Sequence, residues 1–188
     1  MDATEKEKVE AGKSTARTFP LPESNMYQII SDPEYRKTFQ ARVKGGNRMM
    51  APLYKLRILP LFGIGKQIML LTTRGRVSGR MRDTPIGYVR IDDTVHVFSG
   101  WGKGADWYKN MQACPDEVFL QVGFRRFKAR FEVVEDPVEL ERTNERLVTQ
   151  DPRGAHMLMG WDPKTDRLEA ADFSLMVEKV LVVRFYPV

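Results

Sequence analysis

The residues with the most chemical promise sit close together. Between positions 74 and 82 the chain carries four arginines, Arg74, Arg76, Arg80 and Arg82, and Gly75 and Gly79 enclose Arg76-Val77-Ser78. Glycines let a backbone come close to an anion, a serine adds a hydroxyl donor, and guanidiniums match phosphate oxygens. Like charges this crowded repel one another unless something neutralises them, so the loop reads as an anion site. A second stretch, Ser99-Gly100-Trp101-Gly102-Lys103-Gly104, interleaves three glycines with a tryptophan. Its main chain can approach a flat ring, and its free N–H groups lead into the next helix.

Catalytic side chains are scarce elsewhere. The chain has two histidines, His96 and His156, and one cysteine, Cys114. His96 lies mid-strand and reads as structural; His156, in the stretch Asp151–Pro163, is the better pocket residue. Cys114 precedes a proline with no histidine nearby, which argues against a nucleophile. This inventory holds no zinc set and no serine-hydrolase elbow, so no resident metal is expected. Redox or transfer chemistry here must be borrowed from a cofactor. Gly63-Ile64-Gly65-Lys66 lacks the spacing of a phosphate loop and is read as a turn.

The charge distribution agrees. The net charge is +5, yet residues 51–110 hold 10 basic and 4 acidic side chains, whereas residues 111–188 hold 11 and 14. A local positive field suits a small polyanion or a membrane surface better than nucleic acid, and no nucleic-acid partner is expected. With 188 residues, 42% hydrophobic and 29% charged, the chain is one globular domain of ordinary composition. A single cysteine excludes an internal disulfide. The polar N-terminus lacks the apolar segment of a signal peptide, and a cytoplasmic protein is expected.

The elements that must position these residues follow from period and punctuation. Residues 1–25, polar with Gly12, Pro20 and Pro22, read as a disordered or loosely attached extension, and 26–188 as the single domain. Asp32-Pro33 starts a helix and Gly45-Gly46 ends it. Residues 48–62 form a separate apolar and basic segment, either a helix on the core or one resting on a membrane interface. Strands are expected at 68–73, 84–91, 95–99, 118–122, 127–134 and 180–186, the third following an Asp92-Asp93 turn. Helices are expected at 103–111, after Asp136-Pro137, and around 167–178. The fold class is α+β, mainly β: about six mostly antiparallel strands with peripheral helices.

At the two glycine-bearing segments the chain resembles the deazaflavin (F420)-dependent nitroreductase-type oxidoreductases, a family with a split β-barrel of FMN-binding-like form. The likeness rests on Leu71-Thr72-Thr73, Gly75-Arg76-Val77-Ser78-Gly79, Arg82 and Thr84-Pro85. It continues in Val97-Phe98-Ser99-Gly100-Trp101-Gly102 and Trp107-Tyr108-Lys109-Asn110-Met111, and covers roughly residues 48–135. Val77 stands where the family pattern has lysine, and Gly100-Trp101 replaces a Ser-Lys type of ring contact.

The resemblance implies coenzyme F420, with FMN as the alternative, and hydride transfer from the reduced deazaflavin to a small nitro, quinone or enone acceptor. A non-catalytic protein binding flavin, F420 or a fatty acid is the alternative on this scaffold. By the same resemblance Arg76, Ser78 and Arg82 hold phosphate, next to Val77 and Gly79, and Arg74 or Arg80 meets the carboxylates of the tail. Pro85, Ser99, Gly100, Trp101, Gly102 and Trp107 line the ring. Tyr88, Trp101, His156 and Trp161 are the candidates on the acceptor side. A monomer or homodimer is expected.

Overall fold

In the computed structural model, residues 16–56, 58 and 67–188 are described, apart from the side chain of Arg48. The Gly63–Lys66 turn and most of 57–66 lie outside the described residues. The strands are β1 (Arg17–Thr18), β2 (Ile68–Arg74), β3 (Met81–Gly87), β4 (Val89–Ile91), β5 (Thr94–Ser99), β6 (Val118–Val122), β7 (Arg125–Val134), β8 (Ala171–Asp172) and β9 (Leu181–Pro187). The helices are α1 (Asn25–Ser31), α2 (Pro33–Lys55), α3 (Asp106–Ala113), α4 (Pro137–Gln150), α5 (Pro152–Met159) and α6 (Ser174–Lys179).

Seven strands form one sheet in the order β3-β2-β6-β7-β9-β5-β4, every neighbouring pair antiparallel. The sheet curls so that β3, at one end, returns alongside β5 near the other. This is the expected split β-barrel, with one strand more than expected.

Alternation along the strands fills the barrel. Met69, Leu71, Val97, Leu120, Ala129, Val183 and Phe185 point inward against Trp107, Tyr108 and Met111 of α3. On the opposite face Val89, Ile91, Phe98 and Val182 meet Leu140 and Leu147 of α4, Met159 of α5 and Met176 of α6. Each large apolar side chain buried in these two layers contributes about 1.5–3 kcal/mol.

Turn chemistry sets the register. Asp92 and Asp93 both take left-handed φ values, 49° and 59°, as the two-residue hairpin between β4 and β5 requires. The expected strand over 84–91 is broken: β3 ends at Gly87, and the Tyr88 N–H turns to the Gln67 carbonyl at 3.0 Å before β4 begins.

Several expectations are corrected. Described residues before 25 are anchored, not loose: β1 runs parallel to β8, and Phe19, fully buried, packs with its ring tilted against Trp161, centroids 5.2 Å apart. The helix begun by Asp32, whose carboxylate accepts from the Glu34 and Tyr35 N–H groups, does not stop at Gly45-Gly46. It runs 23 residues to Lys55 and absorbs the first half of the 48–62 segment. An added Cβ at Gly45 or Gly46 would meet nothing within 4 Å, so the two glycines serve no packing role. They cost the helix about 1 kcal/mol each relative to alanine, and packing on either side outweighs that cost. The loop expected around His156 is α5, and the helix expected over 167–178 resolves into a short 3-10 turn, β8 and α6.

Candidate functional site

The β2–β3 hairpin presents the arginine loop. Gly79 N–H donates to the Gly75 carbonyl and Gly75 N–H to the Arg80 carbonyl, each at 2.8 Å, and Gly79 takes φ +63°, which a side chain would strain. The four arginines then divide into two kinds.

Arg74 is spent on structure: its Nε donates to Glu117 Oε2 at 2.6 Å and its Nη1 to the Gly79 carbonyl at 2.7 Å. Arg76 is held by α3, through Asn110 Oδ1 at 3.0 Å and Asp106 Oδ1 at 3.0 Å. The Arg76 backbone N–H also donates to Asn110 Oδ1, at 3.2 Å. Arg82 donates only to the Ser78 hydroxyl, at 3.3 Å. Neither Arg80 nor Arg82 is in an ion pair among the described residues. Ser78 Oγ also accepts from the Arg80 N–H at 3.4 Å, which leaves its own proton free to donate outward.

This hairpin forms one wall of a cavity of about 920 Å³. Arg76, Val77, Ser78 and Arg82 stand at one end, followed along β3 by Thr84, Pro85 and Ile86. Phe98 and Ser99 of β5, Trp101, and Asp106, Trp107 and Asn110 of α3 make the opposite wall. Gly100 lets this wall seat closely: a Cβ there would sit 2.9 Å from both Ile29 Cγ2 and Met26 Sδ.

The roof is α2. Phe39, Gln40, Val43, Lys44, Asn47 and Ala51 share one helical face and look into the cavity. Phe39 stacks between Tyr35 at 5.6 Å and Trp101 at 5.9 Å, and Arg36 Nη2 donates to the Gly100 carbonyl at 2.6 Å. Sequence reasoning missed this roof, although the spacing of Phe39, Val43, Asn47 and Ala51 was a usable signal.

Of the residues expected to bind a cofactor, Arg76, Val77, Ser78, Arg82, Pro85, Ser99, Trp101 and Trp107 therefore converge on one cavity. Gly79, Gly100 and Gly102 shape its loops without lining it, and Arg74 does not face it. Val77 stands at the rim, 92% exposed.

The acceptor-side candidates separate. Trp101 lines the cavity; Tyr88 and Trp161 are buried, one inside the barrel and the other beside Phe19 and Phe173. His156 lies elsewhere, in a recess of about 610 Å³ with Gln67, Arg153 and Lys164, its Nδ1 at 3.0 Å from the Trp161 carbonyl. His96 is buried under α4, where desolvation pushes its pKa down to about 4. No group of three or more His, Cys, Asp or Glu suited to a metal ion occurs among the described residues.

The cavity combines an apolar, partly aromatic lining with basic and hydroxyl side chains at one end. Its long walls are mostly apolar, and at one end stand Arg76, ion-paired with Asp106, and Arg82, which has no ion pair among the described residues. Two buried polar atoms of wall residues, Ser99 Oγ and Trp101 Nε1, have no hydrogen-bond partner among the described residues.

A family model described as F420H(2)-dependent quinone reductase matches residues 59–164. No curated protein matches the chain. Among solved structures, an F420-H2 dependent reductase is 26% identical, covering 64% of this chain and 95% of its own, with a TM-score of 0.42. A conserved hypothetical protein from Mycobacterium tuberculosis is 18% identical over 64% of this chain and 72% of its own, TM-score 0.44. An FAD-binding protein from Mesorhizobium loti is 18% identical over 65% and 81%, TM-score 0.41.

Proposed function

Because the chain belongs to the F420H(2)-dependent quinone reductase family, we propose that the cavity under α2 is where it binds F420 and presents a planar quinone-type acceptor to it. The protein is an oxidoreductase and coenzyme F420 is its cofactor. When bound in reduced form, the deazaflavin supplies the hydride. The observation that carries the reading is one cavity with Arg82, in no ion pair among the described residues, and Ser78 at one end and with Pro85, Trp101 and Trp107 along its walls.

In this reading Arg82, Ser78 and Arg76 hold phosphate, and Arg80 reaches a more distant carboxylate. Pro85, Ser99, Trp101 and Trp107, with the backbone at Gly100 and Gly102, flank the ring. The α2 roof excludes water, and its polar side chains Gln40, Lys44 and Asn47 orient the acceptor. Tyr88 and His156 take no part.

The test is titration with F420 and with FMN. F420 is expected to bind, and Arg82→Ala to weaken it at least tenfold, about 1.4 kcal/mol. A variant that binds like the native protein would remove Arg82 from the phosphate site. Turnover assays with quinone, nitro and enone acceptors then rank the acceptor class, quinones being expected to lead.

A peripheral membrane contact through the 48–62 segment is part of the proposal. It is supported by the exposure of Met49 and Leu56, 69% and 70%, beside Lys55 and the exposed Ile58. No helix among the described residues is long and apolar enough to cross a membrane. Cosedimentation with vesicles of mixed neutral and anionic lipid is expected, and Met49→Glu/Leu56→Glu should abolish it. Equal cosedimentation of the double variant would exclude this segment as the contact.

A further inference from the structure

The two cavity arginines differ in one respect: Arg76 already has a carboxylate partner and Arg82 has none. Asp106 Oδ1 lies 3.0 Å from Arg76 Nη2, and both residues line the cavity. The Asp106 side chain is 62% exposed and that of Arg76 34% exposed, so the pair sits at the rim, where an ion pair contributes little. Asn110 Oδ1 accepts from the Nη1 of the same guanidinium and from the Arg76 backbone N–H. Arg76 therefore keeps its position if Asp106 lets go, and only one of its faces changes partner.

We propose that Asp106 is a resident counter-ion for Arg76 that an anionic group of the ligand displaces, so that Asp106 sets the cavity's affinity and selectivity for charge. The inference rests on the reading of this cavity as the cofactor site and adds a residue that acts against binding. The exchange is balanced: one carboxylate–guanidinium pair is lost and one phosphate–guanidinium pair forms, with no change in protonation. Asp106 is released to solvent at the start of α3, where a negative charge is favourable. A neutral ligand of the same shape gains nothing from the exchange. A weakly anionic one gains less than a polyanion, which can engage Arg82 and Arg76 together.

Two arms test this. The first titrates inorganic phosphate and follows the Arg76 guanidinium by NMR. Asp106→Asn and Asp106→Ser, which remove the charge but keep a polar group at the helix start, are each expected to tighten phosphate about fivefold, the scale of one unit charge at an exposed rim. Adding Arg76→Ala should erase that gain. Unchanged phosphate constants in both variants, or a gain that survives Arg76→Ala, would overturn the inference.

The second arm compares F420 with its phosphate-free ribityl deazaflavin. F420 is expected to tighten in the variants and the ribityl deazaflavin to stay level; an equal gain for both overturns the proposal. A native protein that binds phosphate but not F420 would instead sink the cofactor reading, leaving the first arm to decide on Asp106.

Discussion

Lowering the pH from 7 to 5 is expected to cost the fold about 2 kcal/mol through one side chain, His96. The ring is buried between β5 and α4, its Nδ1 3.1 Å from the Thr94 carbonyl and its Nε2 3.2 Å from Arg184 Nε. Arg184 donates from Nε, so Nε2 accepts and the proton sits on Nδ1, directed at the carbonyl. The ring is neutral, and a second proton would lose the Arg184 bond and face its charge, with Arg146 adding to the repulsion.

Burial is the larger cause of a pKa near 4, against 6.5 for a free histidine. The unfolded chain therefore binds more protons than the folded one between those values. Stability is fully present above about pH 6.5 and is lost as pH falls toward about 4. Glu139, held below its ordinary range by its hydrogen bond and ion pair with Arg184, adds a loss of the same sign at lower pH. Urea midpoints at pH 7, 6 and 5 give the measurement. His96→Gln should flatten the curve across that window, and a native protein equally stable at pH 7 and 5 would refute the assignment.

A loss of similar size is expected from Tyr54→Phe. Tyr54 is fully buried near the end of α2, and its hydroxyl donates to the Ile68 carbonyl at 2.7 Å while accepting from the Gly123 N–H at 3.2 Å. Its own carbonyl accepts from Gln121 Nε2 at 3.0 Å. One side chain thus fastens the roof helix to β2 and to the β6–β7 turn. Phenylalanine fills the same space but takes the acceptor from the part-buried Gly123 N–H and the donor from the Ile68 carbonyl, which costs about 1–3 kcal/mol. Chemical denaturation should show that loss. The acceptor KM should rise with it, because the same helix carries Gln40, Lys44 and Asn47. A variant as stable as the native chain would mean that water replaces the hydroxyl.

The arginine loop and the Trp-Tyr-x-Asn segment were legible because their information is local: glycine at turn positions and charge next to serine. The strands were legible for the same reason, since Val118–Val122 and Phe127–Val134 announce themselves by β-branched residues and alternation. What Arg74 does was not legible, because its partner Glu117 is 43 residues away and only the β2–β6 pairing brings them together. The roof was hidden by Gly45-Gly46. Two glycines ordinarily end a helix, but here Tyr54 and Phe39 fix the chain on both sides of them, and tertiary packing overrides the local preference. Tyr88 and His156 fail as cavity residues on a matter of facing: a break in a strand and an unexpected helix turned them elsewhere.

The place of β9 has a consequence for how the cavity comes into being. It is the last strand in chain order, yet it lies in the interior of the sheet, between β7 and β5. Without it, the strands β3-β2-β6-β7 and the hairpin β5-β4 are not paired with each other in the sheet. Such high sequence separation slows folding. The β2–β3 wall and the β5 wall of the cavity are thus held in one sheet through the strand farthest along the chain, and a chain with β9 undocked exposes the edges of β7 and β5.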